Sequence, residues 1–243
     1  MKTLVWAHRG ASAYAPENTL ESFQKAVDMH ADGVELDIQL TKDGQMVVVH
    51  DEQIDRMSNG HGWVKDYTLR ELKAFNFNRT HPEYESAEIP TLEEVYDLLK
   101  PTGLTINVEL KTGIWHYDGI EEQVLALTAE KGMEDRIIYS SFNHHTLVRL
   151  KEMNPDCRTG VLYSDEWIGV PAYAKQTVHA DYLHPALYHL QDPQYETEAA
   201  KYGLAVHVWT VNDEAYMKML VRRGIEAIIT NKPDLCRKVV DAV

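Results

Sequence analysis

The chain has 243 residues, 44% of them hydrophobic, and a formal charge of -14 at pH 7. That is enough apolar material for one large core, and no apolar run reaches the roughly 18 residues of a membrane span. A broadly acidic surface repels nucleic acid and anionic lipid, so neither nucleic-acid binding nor stable membrane association is expected, whereas a local cluster of cations can still hold a small anionic substrate. The N-terminus shows no basic stretch followed by an apolar one, as a secretory signal would. Cys157 and Cys236 have no paired spacing. They read as free thiols of a cytoplasmic protein, with a disulfide as the alternative.

Apolar strand-like runs alternate with helix-like ones along the chain. The strands fall at 3–8, 33–38, 104–110, 136–140, 158–163, 180–184, 204–210 and 225–230. The helices fall near 18–32, 91–100, 118–132, 143–153, 165–178, 193–203, 213–223 and 234–242. This alternation predicts an α/β fold, a (β/α)8 TIM barrel forming one domain over 1–243; a doubly wound open sheet is the alternative. The first helix carries Leu20, Phe23, Ala26 and Val27 at helical spacing, and Asn18 with Glu21 predicts its capping box. Thr91 with Glu94 predicts another, ahead of Leu92, Val95, Leu98 and Leu99. Asp213 and Glu214, behind Asn212, place carboxylates at the positive end of a helix dipole.

Two stretches break the alternation. Asp43-Gly44 lies between extended runs and predicts a two-residue hairpin loop. Residues 45–50 should then run antiparallel to 33–40, with paired positions summing to 87 and Asp37 opposite His50. The second break, about 51–90, is polar and too long for an ordinary loop. It predicts a small insertion covering one end of the barrel, or else a decorative excursion.

Chemistry-bearing residues collect at strand ends. His8-Arg9-Gly10 closes the first strand with an imidazole, a guanidinium and a turn glycine, a combination suited to an anion. Glu35 and Asp37 are two apart, so they share a face, while Val34, Leu36 and Ile38 point towards packing helices. Asn107, Glu109 and Lys111 repeat the pattern. Carboxylates inside a barrel need a cation. Glu35, Asp37 and Glu109 offer only oxygen, the donor set of Mg2+ or Ca2+; an ion-pair network of Glu109 with Lys111 or Arg9 is the alternative. With Arg9 and Lys111 included, the five groups carry one net negative charge. A divalent ion would turn that to one positive, matching a phosphodiester.

Of the twelve histidines, His30, His61, His81, His116, His144, His145, His179 and His189 lie in helix or loop contexts and are expected at the surface. His207 reads as a satisfied core residue, and His184, at a strand end before Pro185, is open to either reading. His8 and His50 alone end strands beside the carboxylates. Imidazoles titrate near neutrality, so such a pair can divide general base and general acid work.

In these residues the chain resembles the glycerophosphodiester phosphodiesterase family. The matching motifs are His8-Arg9-Gly10, Pro16-Glu17-Asn18-Thr19, Glu35-Leu36-Asp37, Asp43-Gly44 with His50-Asp51, and Glu109-Leu110-Lys111. Further matches are Ile89-Pro90-Thr91-Leu92-Glu93-Glu94, Ser140-Ser141-Phe142, Val208-Trp209-Thr210-Val211-Asn212 and Ile228-Ile229-Thr230-Asn231-Lys232-Pro233. Together they span roughly 3–235, and the segment 51–90 is a short version of the family's insertion. The resemblance implies a (β/α)8 barrel with its site at the carboxyl ends of the strands. It implies a divalent metal on Glu35, Asp37 and Glu109, an acid–base pair in His8 and His50, and phosphate ligands in Arg9 and Lys111. Trp209 would line the pocket or simply pack the barrel mouth. The implied reaction is metal-dependent hydrolysis of a glycerophosphodiester to sn-glycerol 3-phosphate and an alcohol. The alternatives are a lysophospholipase D or phospholipase C-like activity on a lipid, and a non-catalytic barrel that binds a phosphorylated ligand.

Overall fold

The computed structural model describes residues 2–165 and 167–243. Its elements run β1 (Leu4–His8), α1 (Leu20–Asp28), β2 (Gly33–Leu40), β3 (Met46–Val48), α2 (Leu69–Leu72), α3 (Leu92–Leu99), β4 (Thr105–Leu110), α4 (Ile120–Lys131) and β5 (Ile137–Ser141). They continue α5 (His144–Met153), β6 (Arg158–Tyr163), α6 (Val170–Gln176), β7 (Tyr182–Pro185), α7 (Tyr195–Lys201), β8 (Ala205–Val208), α8 (Glu214–Arg223), β9 (Ala227–Thr230) and α9 (Pro233–Asp241). The helix expected at 165–178 is shorter, starting at Val170, and Glu166 lies outside the described residues. Parallel strands follow in the order β1-β9-β8-β7-β6-β5-β4-β2, and β1 pairs with β2 to close the ring. Closure makes this a TIM barrel and excludes the doubly wound sheet.

Strand alternation sorts the side chains into two sets. Outward residues such as Val5, Val34, Leu36, Ile106, Val108 and Val161 pack with Phe23, Val95, Leu99, Val124, Leu147 and Val239 of the helices in one core. Each fully buried aliphatic side chain contributes about 1.5–3 kcal/mol. Inward residues form a separate cluster around Trp6, Ile138, Ala227 and Ile229. Below the site the barrel is filled with rings. Tyr182 stacks on His207 with centroids 4.5 Å apart. Glu226 accepts from His207 Nε2 at 3.1 Å, which leaves His207 Nδ1 to accept from His184 Nε2 at 3.0 Å. Thus both His184 and His207 are core residues. A methyl at Gly160 would overlap the His184 imidazole, and one at Gly33 would press on the Trp6 indole at 2.8 Å, so these two positions supply the space the rings occupy.

Several expectations need correction. The β2–β3 ladder pairs Ile38 with Val48, Gln39 with Val47 and Leu40 with Met46, so positions sum to 86. The loop therefore has three residues, 42–44, because Gly44 takes φ +76° and completes a turn whose Thr41 N–H donates to Gln45. The strand is also shorter than 45–50, and Asp37 receives the Val49 N–H, not a partner at His50. At α1 the cap is Thr19 with Ser22 rather than Asn18 with Glu21, because Asn18 turns into the left-handed region at φ +58° and sends its side chain elsewhere. His189 is buried, not at the surface: Tyr163 and Tyr188 flank it and its Nε2 donates to the Ser164 carbonyl. His144 is half-buried, with Nε2 donating to the Leu162 carbonyl. The Thr91–Glu94 capping box forms as expected, and Asp213 caps α8.

The insertion has its own small core, in which Ile54, Met57, Val64, Leu72 and Phe77 pack against Val47 and Val49 beside β3. It is fastened at its end by a bridge from Val47 to Thr91. No helix among the described residues is long and apolar enough to cross a membrane. Cys157 and Cys236 are both free and buried.

Gly160→Ala should destabilise the fold by about 1–3 kcal/mol, the usual cost of overpacking, measured by urea denaturation; an unchanged midpoint would mean the His184 ring can shift freely. Burial holds His184 and His207 below the usual imidazole range. As pH falls below about 6.5 the unfolded chain takes up protons that the native pair refuses, so stability should fall towards acid. His184→Gln should reduce that slope between pH 6.5 and 5 by up to about 1.4 kcal/mol per pH unit; an unaltered slope would count against a neutral native His184.

Candidate active site

β1 and β2 lie in register at His8 and Glu35, and β2 and β4 at Asp37 and Glu109. Strand pairing therefore stacks an imidazole and three carboxylates at the carboxyl ends of three neighbouring strands. Glu35, Asp37 and Glu109 are buried, at 4%, 0% and 7% exposure. One oxygen from each lies within 4.8 Å of the others.

After His8 the chain turns at once. Arg9 and Gly10 both have positive φ, +54° and +77°, and a Cβ at Gly10 would collide with the Ser22 backbone of α1. This turn aims the Arg9 N–H at Glu35 Oε2, 3.0 Å away. The guanidinium donates to Glu17 at 2.9 Å and lies 3.5 Å from Asp37. Asn18 donates its N–H to the Arg9 carbonyl and its side-chain amide to Asp37 Oδ2, both at 2.9 Å. Lys111 Nζ donates to Glu109 Oε1 at 3.0 Å and lies 4.0 Å from Asp37 Oδ1. The Glu109–Lys111 ion pair weighed as an alternative is therefore present, yet it leaves Asp37 Oδ1 without a hydrogen bond and Glu35 without a Lys or Arg side chain within ion-pair distance among the described residues.

His8 shares a hydrogen bond with Asn231 at 2.7 Å, and its Nε2 lies 3.9 Å from Glu35. His50, just past β3, has Nδ1 2.6 Å from Asp51 Oδ1. Asp51 also accepts from Arg56, and Arg56 reaches on to Glu17 at 2.7 and 2.8 Å. A continuous chain of charges, Arg9–Glu17–Arg56–Asp51–His50, thus ties the two halves of the site through the insertion.

The electrostatics follow from burial and neighbours. Burial and the facing carboxylates push Glu35 upward. Burial raises Glu109 too, against the pull of Lys111. Burial also opposes ionisation of Asp37, but His50, Arg9 and Lys111 outweigh it and hold this carboxyl well below its ordinary value. Burial and Arg9 bring His8 down to about 4. Arg9 and Lys111 stay charged because their carboxylate partners outweigh burial.

The groups open onto a cavity of about 320 Å³. His8, Arg9, Glu35, His50, Asn107 and Glu109 form its polar wall; Phe142, Leu162, Trp209 and Ile229 form an apolar one. Of the eight residues singled out in the sequence, Asp37 and Lys111 stand behind the wall and the other six line it. Trp209 lies just past β8, edge-on to Phe142 at 5.6 Å, with its indole N–H on the His184 carbonyl. Sequence reasoning placed Asn107 on the face of Glu109 and Lys111 without giving it a role, and it missed Glu17, Gln39, Asp51, Arg56 and Asn231 as parts of this assembly. Gln39 could have been found, since it shares the inward face with the carboxylates of its own strand.

The donor set suits a hard cation. Among the described residues, Asp37 Oδ1 and Asn107 Oδ1 are buried without a hydrogen-bond partner, and unpaired buried oxygens of this kind ask for one. Glu35, Asp37 and Glu109 are the residues that could hold a metal ion.

Residues 8–235 match the model of the glycerophosphoryl diester phosphodiesterase family. Over 235 residues the chain is 41% identical to the glycerophosphodiester phosphodiesterase of Caldanaerobacter subterraneus subsp. tengcongensis, covering 96% of each chain. It is 36% identical over 256 residues to a glycerophosphodiester phosphodiesterase of Bacillus subtilis, covering 98% of this chain and 86% of the relative. A phosphodiesterase of Oleispira antarctica, solved in complex with the product sn-glycerol-3-phosphate, superposes with a TM-score of 0.86 at 29% identity, covering 99% of this chain and 97% of that one.

The acidic cluster predicts that Mg2+ or Ca2+ raises the melting temperature of EDTA-treated protein. At a hundredfold excess over Kd the gain is about 2.7 kcal/mol. Replacing Glu35 and Asp37 together by Gln and Asn should abolish the shift. A wild-type transition unmoved by saturating amounts of either ion would count against a cation site.

Proposed function

The chain belongs to the glycerophosphoryl diester phosphodiesterase family, and from that membership and the site geometry we infer how it works: as an enzyme that hydrolyses glycerophosphodiesters to sn-glycerol 3-phosphate and an alcohol, with a divalent cation, Mg2+ or Ca2+, on Glu35, Asp37 and Glu109. The observation that carries this reading is the gathering of His8, Arg9, Glu35, His50 and Glu109 around one cavity at the barrel's carboxyl end, with Asp37 and Lys111 behind them. When bound, the ion would draw charge from a nonbridging phosphoryl oxygen.

Arg9, held by Glu17 beside Asp37, and Lys111, held by Glu109, supply fixed positive charge for the phosphoryl oxygens as the transition state forms. One of His8 and His50 takes the proton of the attacking hydroxyl and the other protonates the departing alkoxide; if the hydroxyl is water's, glycerol 3-phosphate forms at once, and if it is the substrate's own glycerol hydroxyl, water opens the resulting cyclic phosphate in a second step. Asp51 orients the His50 ring through Nδ1, leaving Nε2 for the proton transfer. Asn231 does the same for His8. The two unpaired thiols accord with a cytoplasmic location.

The apolar wall of Phe142, Leu162, Trp209 and Ile229 favours a second reading of the substrate, in which the alcohol side carries apolar bulk, as in a lysophospholipid. Relative kcat/KM on glycerophosphocholine and on a lysophospholipid discriminates the two.

The test is release of glycerol 3-phosphate from glycerophosphocholine by EDTA-stripped protein, with Mg2+ or Ca2+ added back. Release restored by a metal is expected. His8→Ala and His50→Ala should each lower turnover by about 10²–10⁴-fold, and each should erase one limb of the pH–rate profile, which assigns base and acid. Near-normal turnover in both variants would defeat the acid–base assignment. A folded, metal-loaded protein without release from either substrate would defeat the hydrolytic reading.

A further inference from the structure

We propose that Gln39 is a positioning residue for the reaction: its buried amide, clamped by Tyr117, sets the turn that carries His50 out of the β2–β3 ladder and into the cavity. The inference rests on the role given to His50 above.

The register creates the need for such a device. With paired positions summing to 86, Asp37 faces Val49, and an uninterrupted strand would place His50 on the outward face, level with Leu36. The strand instead stops at Val48, and the Val49 N–H makes its bond to the Asp37 carbonyl. Three successive carbonyls, those of Val49, His50 and Asp51, then accept no backbone N–H among the described residues and need another donor.

Gln39 takes all three. Its Nε2 donates to Val49 O at 3.1 Å, His50 O at 3.1 Å and Asp51 O at 2.9 Å. Two amide hydrogens serve three acceptors, so one is shared. The amide can face only one way, because the Tyr117 hydroxyl donates to its Oε1 at 2.9 Å. Gln39 is fully buried and does not line the cavity, so it touches neither substrate nor metal ligand site directly. It fixes the backbone on both sides of His50, while Asp51 fixes the ring. Tyr117 belongs to the loop between β4 and α4, so this clamp also links the second histidine to the strand that carries Glu109 and Lys111.

The experiment is a double-mutant cycle on glycerophosphocholine turnover, with metal present and melting curves recorded for each protein. Gln39→Leu should lower kcat by about 10–100-fold, the usual cost of a lost supporting contact, with KM changed less than about twofold. Tyr117→Phe, which deletes one oxygen, should lower kcat by about threefold to tenfold, the value of a single hydrogen bond. In a His50→Ala background, measured in single turnover, either change should cost less than about twofold more, because the group it positions is gone. A purely structural Gln39 would lower stability but leave the kcat losses multiplicative, which would overturn the proposal. Should Gln39→Leu fail to fold, Tyr117→Phe runs the same cycle. Full kcat in both Gln39→Leu and Tyr117→Phe beside an impaired His50→Ala would sink this inference alone, whereas full turnover in His50→Ala would sink the acid–base reading beneath it.

Discussion

Asp37 and Glu109 are paired neighbours across the β2–β4 ladder, both inward and both buried, with Glu35 one pleat below. Like charges directly opposed weaken a sheet, and loss of water makes each of them far more costly. The rest of the site can be read as the answer to that repulsion. Lys111 extends the same strand face as Glu109, and Arg9 enters from the end of β1. The two do not suffice: the buried oxygens left unpaired and the upward push on Glu35 and Glu109 mark a cluster still short of positive charge. That shortage suits the cluster to a cation, the role proposed for it above.

Bringing compensation to the carboxyl end of the strands has a backbone cost. Arg9 and Asn18 both sit at positive φ, conformations that cost roughly 1–3 kcal/mol for a side-chain-bearing residue. Both are over-determined by contacts. The Arg9 N–H meets Glu35, its carbonyl accepts from the Asn18 N–H and the Ser22 hydroxyl, and the Asn18 amide meets Asp37. The strain is borne by the outer core, where the alternate residues of the same strands are aliphatic and wholly buried under helices. The insertion contributes in the same way. Its small core anchors the segment bearing Arg56, whose fork joins Glu17 to Asp51.

Periodicity made most of this legible from the sequence. The alternation of Val34, Leu36 and Ile38 with Glu35 and Asp37 told both the barrel wall and the acidic cluster, because a strand has only two faces. What failed was local and aperiodic. Whether Asp43-Gly44 makes a two- or three-residue loop depends on Gly44 completing the turn in the left-handed region, and that single residue moves the register from 87 to 86. Asn18 has the chemistry of a helix cap, but tertiary demand from Asp37 takes its side chain and leaves the cap to Thr19. His189 was placed at the surface because its loop context says nothing of the Tyr163 and Tyr188 rings that enclose it. The Arg56 fork spans 39 residues to Glu17 and 5 to Asp51, and no spacing rule connects such partners.

The cavity divides along the chain as well as across its walls. Its charged groups, with Asp37 and Lys111 behind them, come from residues 8–111, on β1, β2, β4 and the turn after β3. Its apolar wall comes from 142–229, at the ends of β5, β6, β8 and β9. The first half is locked by ladder register and ion pairs, so a change there disturbs several groups at once. The second half is made of side chains such as Phe142 and Leu162 that join no ion pair, its one link to the charges among the described residues being the Lys111 ammonium 6.0 Å over the Phe142 ring. On the reading proposed above, the chemistry of cleavage falls to the first half and contact with the alcohol to the second, so the two belong to separate stretches of one barrel.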